Sequence, residues 1–244
     1  CMQSLSVRQE NQTKFSNKFN SEYGFEISSK EFQYDFLLND LAASQDLSLV
    51  NTSVFSTFRY LLTSKLLIST GVRFESNDYE NDLLFSPRLN AKYNMNDGQS
   101  SIIYNIGRYY QNPPEIYLSV EENQSITSVQ TVQHSLTYER LISSSTKFTL
   151  AYYQKLYTNA PMLPGDNPYD EPLFLLDRLS MYSGVTSNGR SVADVVELLI
   201  EKKRAENFYG LFGASVFNTT YTDFKGISRN RDYNYKYIIN LIGG

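Results

Sequence analysis

The chain has 244 residues, and its composition shifts nowhere sharply enough to mark a domain boundary, so we expect a single unit spanning 1–244. Its net charge of −4 with scattered basic residues excludes a nucleic-acid-binding protein, and no apolar run approaches the roughly 20 residues that a spanning helix needs. A membrane β-barrel is compatible with the mean hydropathy of −0.39, because alternating strands turn only one face to lipid.

Apolar and polar residues alternate along most of the chain, which is typical of strands that lie between two unlike environments. The pattern predicts an all-β fold, an antiparallel up-and-down meander of about eleven strands that forms part of a transmembrane β-barrel. The predicted strands are 13–28, 31–40, 48–61, 66–77, 83–94, 100–110, 131–141, 147–158, 190–203, 207–222 and 235–244.

The connections between these strands alternate in length. Short turns are predicted at 28–30, 63–65, 94–99, 142–146 and 204–206, and long connections at 40–46, 112–130, 158–189 and 223–235. The turn 94–99 contains an Asp-Gly pair, which favours a hairpin. In outer-membrane barrels the short turns are periplasmic and the long loops extracellular, so the alternation predicts which end of each strand faces outward.

Four phrases of the sequence resemble one family. They are TGVRFE, FSPRLNAKYNMNDGQSSIIYNIGRYYQNPPEIY, HSLTYERLISSSTKFTLAYYQKLYTN and RNRDYNYKYIINLIGG. In order and spacing, from about Lys14 to the last residue, they are similar to the barrel of TonB-dependent outer-membrane receptors. A whole barrel of that kind has about 22 strands, so the resemblance implies that the chain is an internal piece holding about half of one.

The resemblance implies energy-coupled nutrient uptake in the outer membrane of a Gram-negative bacterium. The ligand would be a siderophore, cobalamin or an oligosaccharide, and the chain would supply barrel wall and extracellular loops. The implied partners are outer-membrane lipid, a plug domain of the same protein that this sequence lacks, and the TonB energy-coupling complex acting through that plug.

Six charged residues fall on the polar faces of the predicted strands, namely Arg73, Glu75, Arg88, Lys92, Glu197 and Glu201. An arginine facing lipid at mid-bilayer would cost about 2 to 4 kcal/mol, so we expect these residues to face the lumen. There they would form ion pairs within the wall or contact the plug; both interpretations stay open. Glu197 and Glu201 are separated by about 13 Å along a strand, which is too far for a catalytic pair.

Tyr109, Tyr110 and Gln111 lie where the predicted strand 100–110 enters the loop that begins with a Pro-Pro pair. Aromatic and amide groups at a barrel mouth can stack on a ligand and hydrogen-bond to it. Tyrosines at that height also form the interfacial girdle of membrane barrels. Both interpretations are kept.

Residues for catalysis or metal binding are scarce, and we predict no enzyme, no cofactor and no metal site. His134 is the only histidine and lies within a predicted strand, where a phospholipase-type serine partner is the one catalytic option. The acidic segment Asp166–Glu171 is compatible with calcium but does not match an EF-hand, which favours a solvated loop. Cys1 is the only cysteine, which excludes an intrachain disulfide. We expect it to be an interior residue of a longer chain rather than the acylated end of a lipoprotein.

Two further hypotheses come from other classes. One is a passive outer-membrane channel or barrel enzyme without a plug. The other is a soluble β-sheet binding protein, whose outward face should be polar where this one is aromatic.

Overall fold

A computed structural model describes residues 2–38, 41–95, 98–123, 125–164, 173–177, 182–205 and 208–244. Cys1, the acidic segment Asp166–Glu171, Asn96 and Asp97 of the predicted Asp-Gly turn, and Glu206 of the predicted turn 204–206 lie outside the described residues. The described strands form a single sheet in which every neighbouring pair is antiparallel.

The sheet is an up-and-down meander, which confirms the predicted fold class. Eleven strands have seven residues or more: β1 Met2–Lys14, β2 Phe19–Leu38, β3 Leu41–Leu61, β4 Leu66–Asn77, β5 Leu84–Asn94, β6 Ser100–Gln111, β7 Val129–Ser143, β8 Thr146–Leu163, β10 Thr186–Ala205, β11 Phe208–Thr222 and β13 Tyr237–Gly243. Two short strands, β9 Leu173–Phe174 and β12 Ser228–Asn230, pair with β8 and β11. The connections contain helix α1 Glu115–Leu118 and two 3-10 turns, Glu121–Asn123 and Leu175–Asp177. None of the helices in the described part of the chain is long and apolar enough to cross a membrane.

The prediction was wrong about the first two strands. A strand over 13–28 and a link at 28–30 were expected, whereas the chain turns at 15–18 and β2 runs unbroken through Ser28–Lys30. The Ser16 hydroxyl accepts hydrogen bonds from the backbone N–H groups of Lys18 and Phe19, at 3.2 and 3.1 Å, and closes the turn. Such serine turns carry a weaker sequence signal than glycine or proline.

Several strands also extend further at one end than alternation predicted. β3 begins at Leu41 rather than 48, β8 continues to Leu163 rather than 158, and β10 begins at Thr186 rather than 190. A tilted strand crosses a bilayer in about 9 to 11 residues. The 20 residues of β2 and of β10 therefore exceed what a crossing needs.

The register divides the side chains into two faces. On one face Phe25, Val54, Phe74 and Phe85 lie side by side on four successive strands, all at least one-third exposed. We call this apolar, exposed side the outer face. On the other, the inner face, Glu26, Ser53 and Glu75 lie side by side. This alternation is the one that the sequence predicted.

The buried core lies at one end of the sheet rather than within it. Its members come from three parts of the chain: Phe32 and Leu49 on β2 and β3, Tyr117, Leu118 and Ile126 from the connection between β6 and β7, and Leu175 and Val185 from the connection between β8 and β10. The two connections thus fold against the inner face at the strand ends that were predicted to be extracellular. We call the buried residues named above the loop core.

Candidate functional site

The six charged residues predicted to share a face do share it. Lys92 and Glu197 lie in one cross-strand row that runs through Ile103, Thr137 and Ala151. Arg73 and Glu75 alternate with outer-face Phe74 on β4, Arg88 pairs with Gly71 on that strand, and Glu201 lies four residues from Glu197 on β10. All six therefore project from the inner face.

Ion pairs connect charged residues across the inner face near β1 to β4. The Glu26 carboxylate lies 3.5 Å from guanidinium nitrogens of both Arg8 and Arg73, and Arg73 Nε lies 3.1 Å from Glu75 Oε2. The Phe55 ring lies beneath two of these cations, with the Arg8 guanidinium 4.6 Å from its centroid and that of Arg73 at 5.9 Å. Arg8 and Arg73 are thus each held in place by carboxylate contacts and by the Phe55 ring.

A second group of ion pairs lies near the short turns. Glu139 Oε1 accepts a hydrogen bond from Lys147 Nζ at 2.5 Å, and Lys92 Nζ lies 3.9 Å from the other Glu139 oxygen. Glu197 instead accepts a hydrogen bond from the Tyr153 hydroxyl at 3.0 Å. Every member is partly exposed, so each pair contributes only about 0 to 1 kcal/mol to stability.

Towards the loop core, the inner face carries aromatic rings and cations. The Arg88 guanidinium lies 4.7 Å from the Tyr109 ring centroid, and the Arg231 guanidinium lies 5.6 Å from that of Tyr157 and 5.4 Å from that of Phe174. Phe174 in turn stacks on Tyr221 at 5.1 Å. We call these residues the aromatic–cationic band, and with them we group Lys155, whose ammonium lies 5.8 Å from the Tyr153 ring.

Two cations of this band have no partner of opposite charge close by among the described residues. Within the described parts of the chain, no carboxylate lies at ion-pair distance from Arg88 or Lys155. Arg88 also lines a cavity of about 150 Å³ together with two further arginines, Arg8 and Arg73, and one carboxylate, Glu22. Positive charge on this part of the wall is therefore not fully neutralised by neighbouring side chains.

Asn123 connects the two long connections of the loop core. Its fully buried side-chain amide donates to the backbone oxygens of Tyr117 and Tyr182, at 3.1 and 2.6 Å, while its oxygen accepts from the N–H of Val185 at 2.9 Å. A buried amide that makes three hydrogen bonds across two segments fixes their relative position. Sequence analysis missed Asn123, because an asparagine in a polar loop gives no local signal.

A carboxylate ties the β4–β5 connection to the start of β7. Glu80 Oε2 accepts hydrogen bonds from the Ser128 hydroxyl and N–H, at 2.6 and 3.1 Å, and the Tyr79 hydroxyl lies 2.7 Å from the Ser128 hydroxyl. Burial is the main cause that raises the pKa of Tyr79 above its ordinary value, so the phenol stays neutral at physiological pH. The loops around the inner face are thus joined by specific polar contacts as well as by apolar packing.

Known structures share this architecture. The ferric enterobactin receptor of Pseudomonas aeruginosa is similar over 90% of this chain with 14% identity and a TM-score of 0.69. The alcaligin outer-membrane receptor FauA of Bordetella pertussis and the ferric-catecholate import receptor Fiu of E. coli are each similar over 99% of it, with 13% and 8% identity and TM-scores of 0.66 and 0.75. The chain has the barrel fold of TonB-dependent outer-membrane receptors.

The chain spans less than half the length of these receptors, since it covers 38% of the first chain and 42% of each of the other two. No protein-family model and no curated protein matches the sequence. The receptor fold is therefore seen in the strand arrangement, at sequence identities too low to carry over a substrate.

Within the receptor barrel fold, the three residues predicted at the ligand mouth project from two different faces, because successive side chains of a strand alternate. Tyr109 lies on the inner face in the aromatic–cationic band, and Gln111 follows it on the same face, opposite Val129. Tyr110 lies on the outer face, where its hydroxyl donates to Gln130 Oε1 at 3.0 Å. The proposed contact with ligand thus stays a prediction for Tyr109 and Gln111, and the girdle stays a prediction for Tyr110, which projects from the outer face.

His134 lies on the outer face of the receptor barrel fold, 3.3 Å from the Tyr104 hydroxyl. Its cross-strand neighbours are Ile106 and Gln154, and the adjacent Ser135 lies on the inner face, where it accepts a hydrogen bond from Asn105 at 3.0 Å. The geometry offers His134 no serine nucleophile among these neighbours. Across the described residues no group of three His, Cys, Asp or Glu side chains is placed to hold a metal ion.

Proposed function

We propose that the chain forms part of the wall and extracellular loops of an energy-coupled uptake receptor in the outer membrane of a Gram-negative bacterium. The observation that supports this most is the combination of an apolar outer face, a charged inner face and a loop core folded over one end of the sheet. In this proposal the inner face lines the lumen, and the short turns near Thr63–Lys65 and Ile142–Thr146 are periplasmic.

The ligand class that the inner face favours is anionic. Arg88 and Lys155 lie near tyrosine rings and form no ion pair within the described residues, so their positive charges are available to a ligand. A ligand that carries negative charge and planar rings would gain both charge-assisted hydrogen bonds and stacking from such a wall. A ferric catecholate, the ligand class for which two of the similar structures are named, carries both features, and we propose it ahead of cobalamin or an oligosaccharide.

The ligand proposal is tested with a ferric catecholate complex as the probe. Replacing Arg88 and Lys155 by Ala should weaken its binding by about tenfold or more, since removal of a hydrogen bond to a charged group costs about 1.5 to 3 kcal/mol. Arg59→Ala is the matched control, because Arg59 lies on the same face but beside Glu22, at 3.5 Å, near a short turn. Affinity is measured by calorimetry. Equal affinities of the variant with both Arg88 and Lys155 replaced and of the Arg59→Ala control would overturn the anionic-ligand proposal.

The proposed partners are a plug domain and, through it, the TonB complex. The partly exposed ion pairs of Arg8, Glu26 and Arg73 would form the wall against which a plug packs. Uptake of the ferric probe should then stop when the proton-motive force is collapsed, whereas a passive channel without a plug would continue to take it up. Uptake that persists after such collapse would favour the channel.

A further inference from the structure

The ladder between β5 and β6 stops before either strand ends. Its last pair towards the long connections is Arg88 opposite Gly107, although both strands continue for four residues beyond that pair. On their other sides the two strands stay paired throughout this stretch, β5 with β4 and β6 with β7. Residues 84–87 and 108–111, all of which the structure describes, thus form no ladder with each other, and we call these two stretches the seam.

A proline accounts for the break in the ladder. The N–H of Asn94 donates to the Lys65 carbonyl, on the β4 side of β5, at 2.8 Å. Because the backbone groups of a strand point alternately to its two neighbours, the backbone of Pro87 points towards β6. Continuing the register would place Pro87 opposite Arg108. Proline has no N–H to donate to the Arg108 carbonyl, so the ladder loses a bond at the next position where β5 would supply one.

The seam lies in the part of β5 that would cross the membrane. Pro87 is seven residues from Asn94 at the short turn, and a tilted strand crosses a bilayer in about 9 to 11 residues. Backbone groups without partners are costly in hydrocarbon, which is why membrane barrels close their ladders there. An interrupted ladder at this height therefore points to an occupant of the opening.

A groove of about 320 Å³ lies on the outer face at the end of the seam. Its lining is mostly apolar and comes from β5, β6 and β7: Pro87, Arg88, Leu89, Ile106, Gly107, Arg108 and Val132. Arg88 also lines the inner-face cavity of about 150 Å³. The outer groove and the inner wall thus meet at Arg88, where the ladder stops.

The Tyr109 ring covers the same point from the inner face. A Cβ atom at Gly107 would lie only 2.8 Å from the Tyr109 hydroxyl, so the ring lies directly over this glycine. The Arg88 guanidinium lies 4.7 Å from the ring centroid. At the other end of the seam, the hydrogen bonds from Ser128 to Glu80 join the β4–β5 connection to the start of β7. The seam is thus bounded at both ends, and Arg88 and Tyr109 lie between its groove and the inner face.

We propose that the seam holds the apolar tail of an amphiphilic ligand whose anionic head binds at Arg88 and Tyr109. This inference rests on the proposed function and specifies its ligand as an anionic chelate that carries an acyl chain. The tail passes between the two unpaired stretches into the groove, where Leu89, Ile106 and Val132 shield it from water. Continuity favours this occupant over a membrane lipid, because the groove meets the inner wall at the cation that binds the head.

The test compares two probes, a ferric catecholate complex and the same complex with an octanoyl chain, on the protein in lipid nanodiscs. The gain is the ratio of their affinities, and it should be about tenfold or more for the wild type, because methylene groups leave water. Pro87→Ala restores the missing N–H and should let the ladder close, whereas Val132→Trp should fill the groove from β7. Each variant should lower the gain by about fivefold or more.

Thr70→Ala is the matched control and should keep the gain of the wild type, because Thr70 lies opposite Leu89 on the outer face but does not line the groove. An equal gain in the wild type and in Val132→Trp would overturn the proposal, since the chain would then lie in bulk lipid. A diazirine on the chain that labels lipid instead of β5, β6 or β7 would also overturn it. Failure of the unacylated complex to bind the wild type would contradict the proposed function instead.

Discussion

Neighbouring side chains of β4 lie in opposite environments. Phe74 projects from the outer face and stacks on Phe85 with ring centroids 5.0 Å apart, while Arg73 on one side of it and Glu75 on the other form an ion pair on the inner face. Burial of Phe74 in lipid would remove an exposed apolar surface that water would otherwise solvate. The identity of each residue is therefore explained by the face from which it projects.

Phe74→Arg should strongly reduce the amount of protein assembled in the outer membrane, because a cation on the lipid face costs about 2 to 4 kcal/mol near mid-bilayer. Leu89→Arg should act in the same way, since Leu89 is also exposed on the outer face. Quantitative blots of membrane fractions measure the effect.

Ser69→Arg is the control on the inner face of β4 and should assemble normally. Asn90→Arg should assemble as well, although it removes the Asn90 amide that donates to Asn105. Equal outer-membrane levels for Phe74→Arg and Ser69→Arg would contradict the assignment of the two faces.

Asp223 makes the β11–β12 turn sensitive to acid. Its side chain is inaccessible to solvent, and hydrogen bonds from Arg229 Nε at 2.7 Å and from the N–H groups of Ile227 and Lys225 lower its pKa below the ordinary value. A lowered folded-state pKa stabilises the turn above the unfolded pKa of about 3.9, and this stabilisation is lost as the pH falls through the folded pKa.

Amide protection factors of Lys225 and Ile227 should therefore fall on acidification from neutral pH to about pH 2. In Asp223→Asn they should be lower at neutral pH and should change little on acidification, since the amide carries no titrating charge. Protection that is unchanged by acid in the wild type would show that the carboxylate does not hold the turn.

Among the elements, alternation located most strands but not the places where they end. The period of two continues through Ser28–Lys30, which lie in the middle of β2. A polar Ser-Ser-Lys sequence nevertheless resembles a turn when it is considered alone. Pairing with β1 on one side and β3 on the other keeps these residues extended, as Ser28 opposite Ser6 and Asn51 shows. The end of a strand is decided by its neighbours, which lie far away in the sequence.

Asn123→Ala should loosen the two connections of the loop core. It removes three hydrogen bonds and leaves buried backbone groups unpaired, which we expect to lower the local free energy of opening by about 2 to 4 kcal/mol. Hydrogen exchange should accelerate in both connections at once, around Tyr117 and around Val185, because the amide bridges them.

Ser125→Ala provides the comparison, because Ser125 is exposed in the same connection. It should leave exchange unchanged. Acceleration confined to the Asn123 connection would show that the two segments open independently and that Asn123 does not couple them.

For the whole molecule, the sequence predicted the fold better than the site. A repeated period of two in strand after strand is a local signal, and the alternation of faces follows from it. The aromatic–cationic band and the loop core instead join residues far apart, as Asn123 with Val185 and Phe174 with Tyr221 show. Arg88 was predicted from its polar face alone, but its position beside Tyr109 depends on how β5 pairs with β6.

The central claim is that the outer face contacts lipid and the inner face contacts water in a membrane barrel. Single spin labels on β8, in a Cys1→Ser background, measure it directly through their accessibility to oxygen and to a water-soluble nickel complex. Labels that replace Phe148, Leu150 and Tyr152 should be accessible to oxygen, and those that replace Thr149, Ala151 and Tyr153 to nickel. Nickel accessibility at all six positions in membranes would contradict the claim.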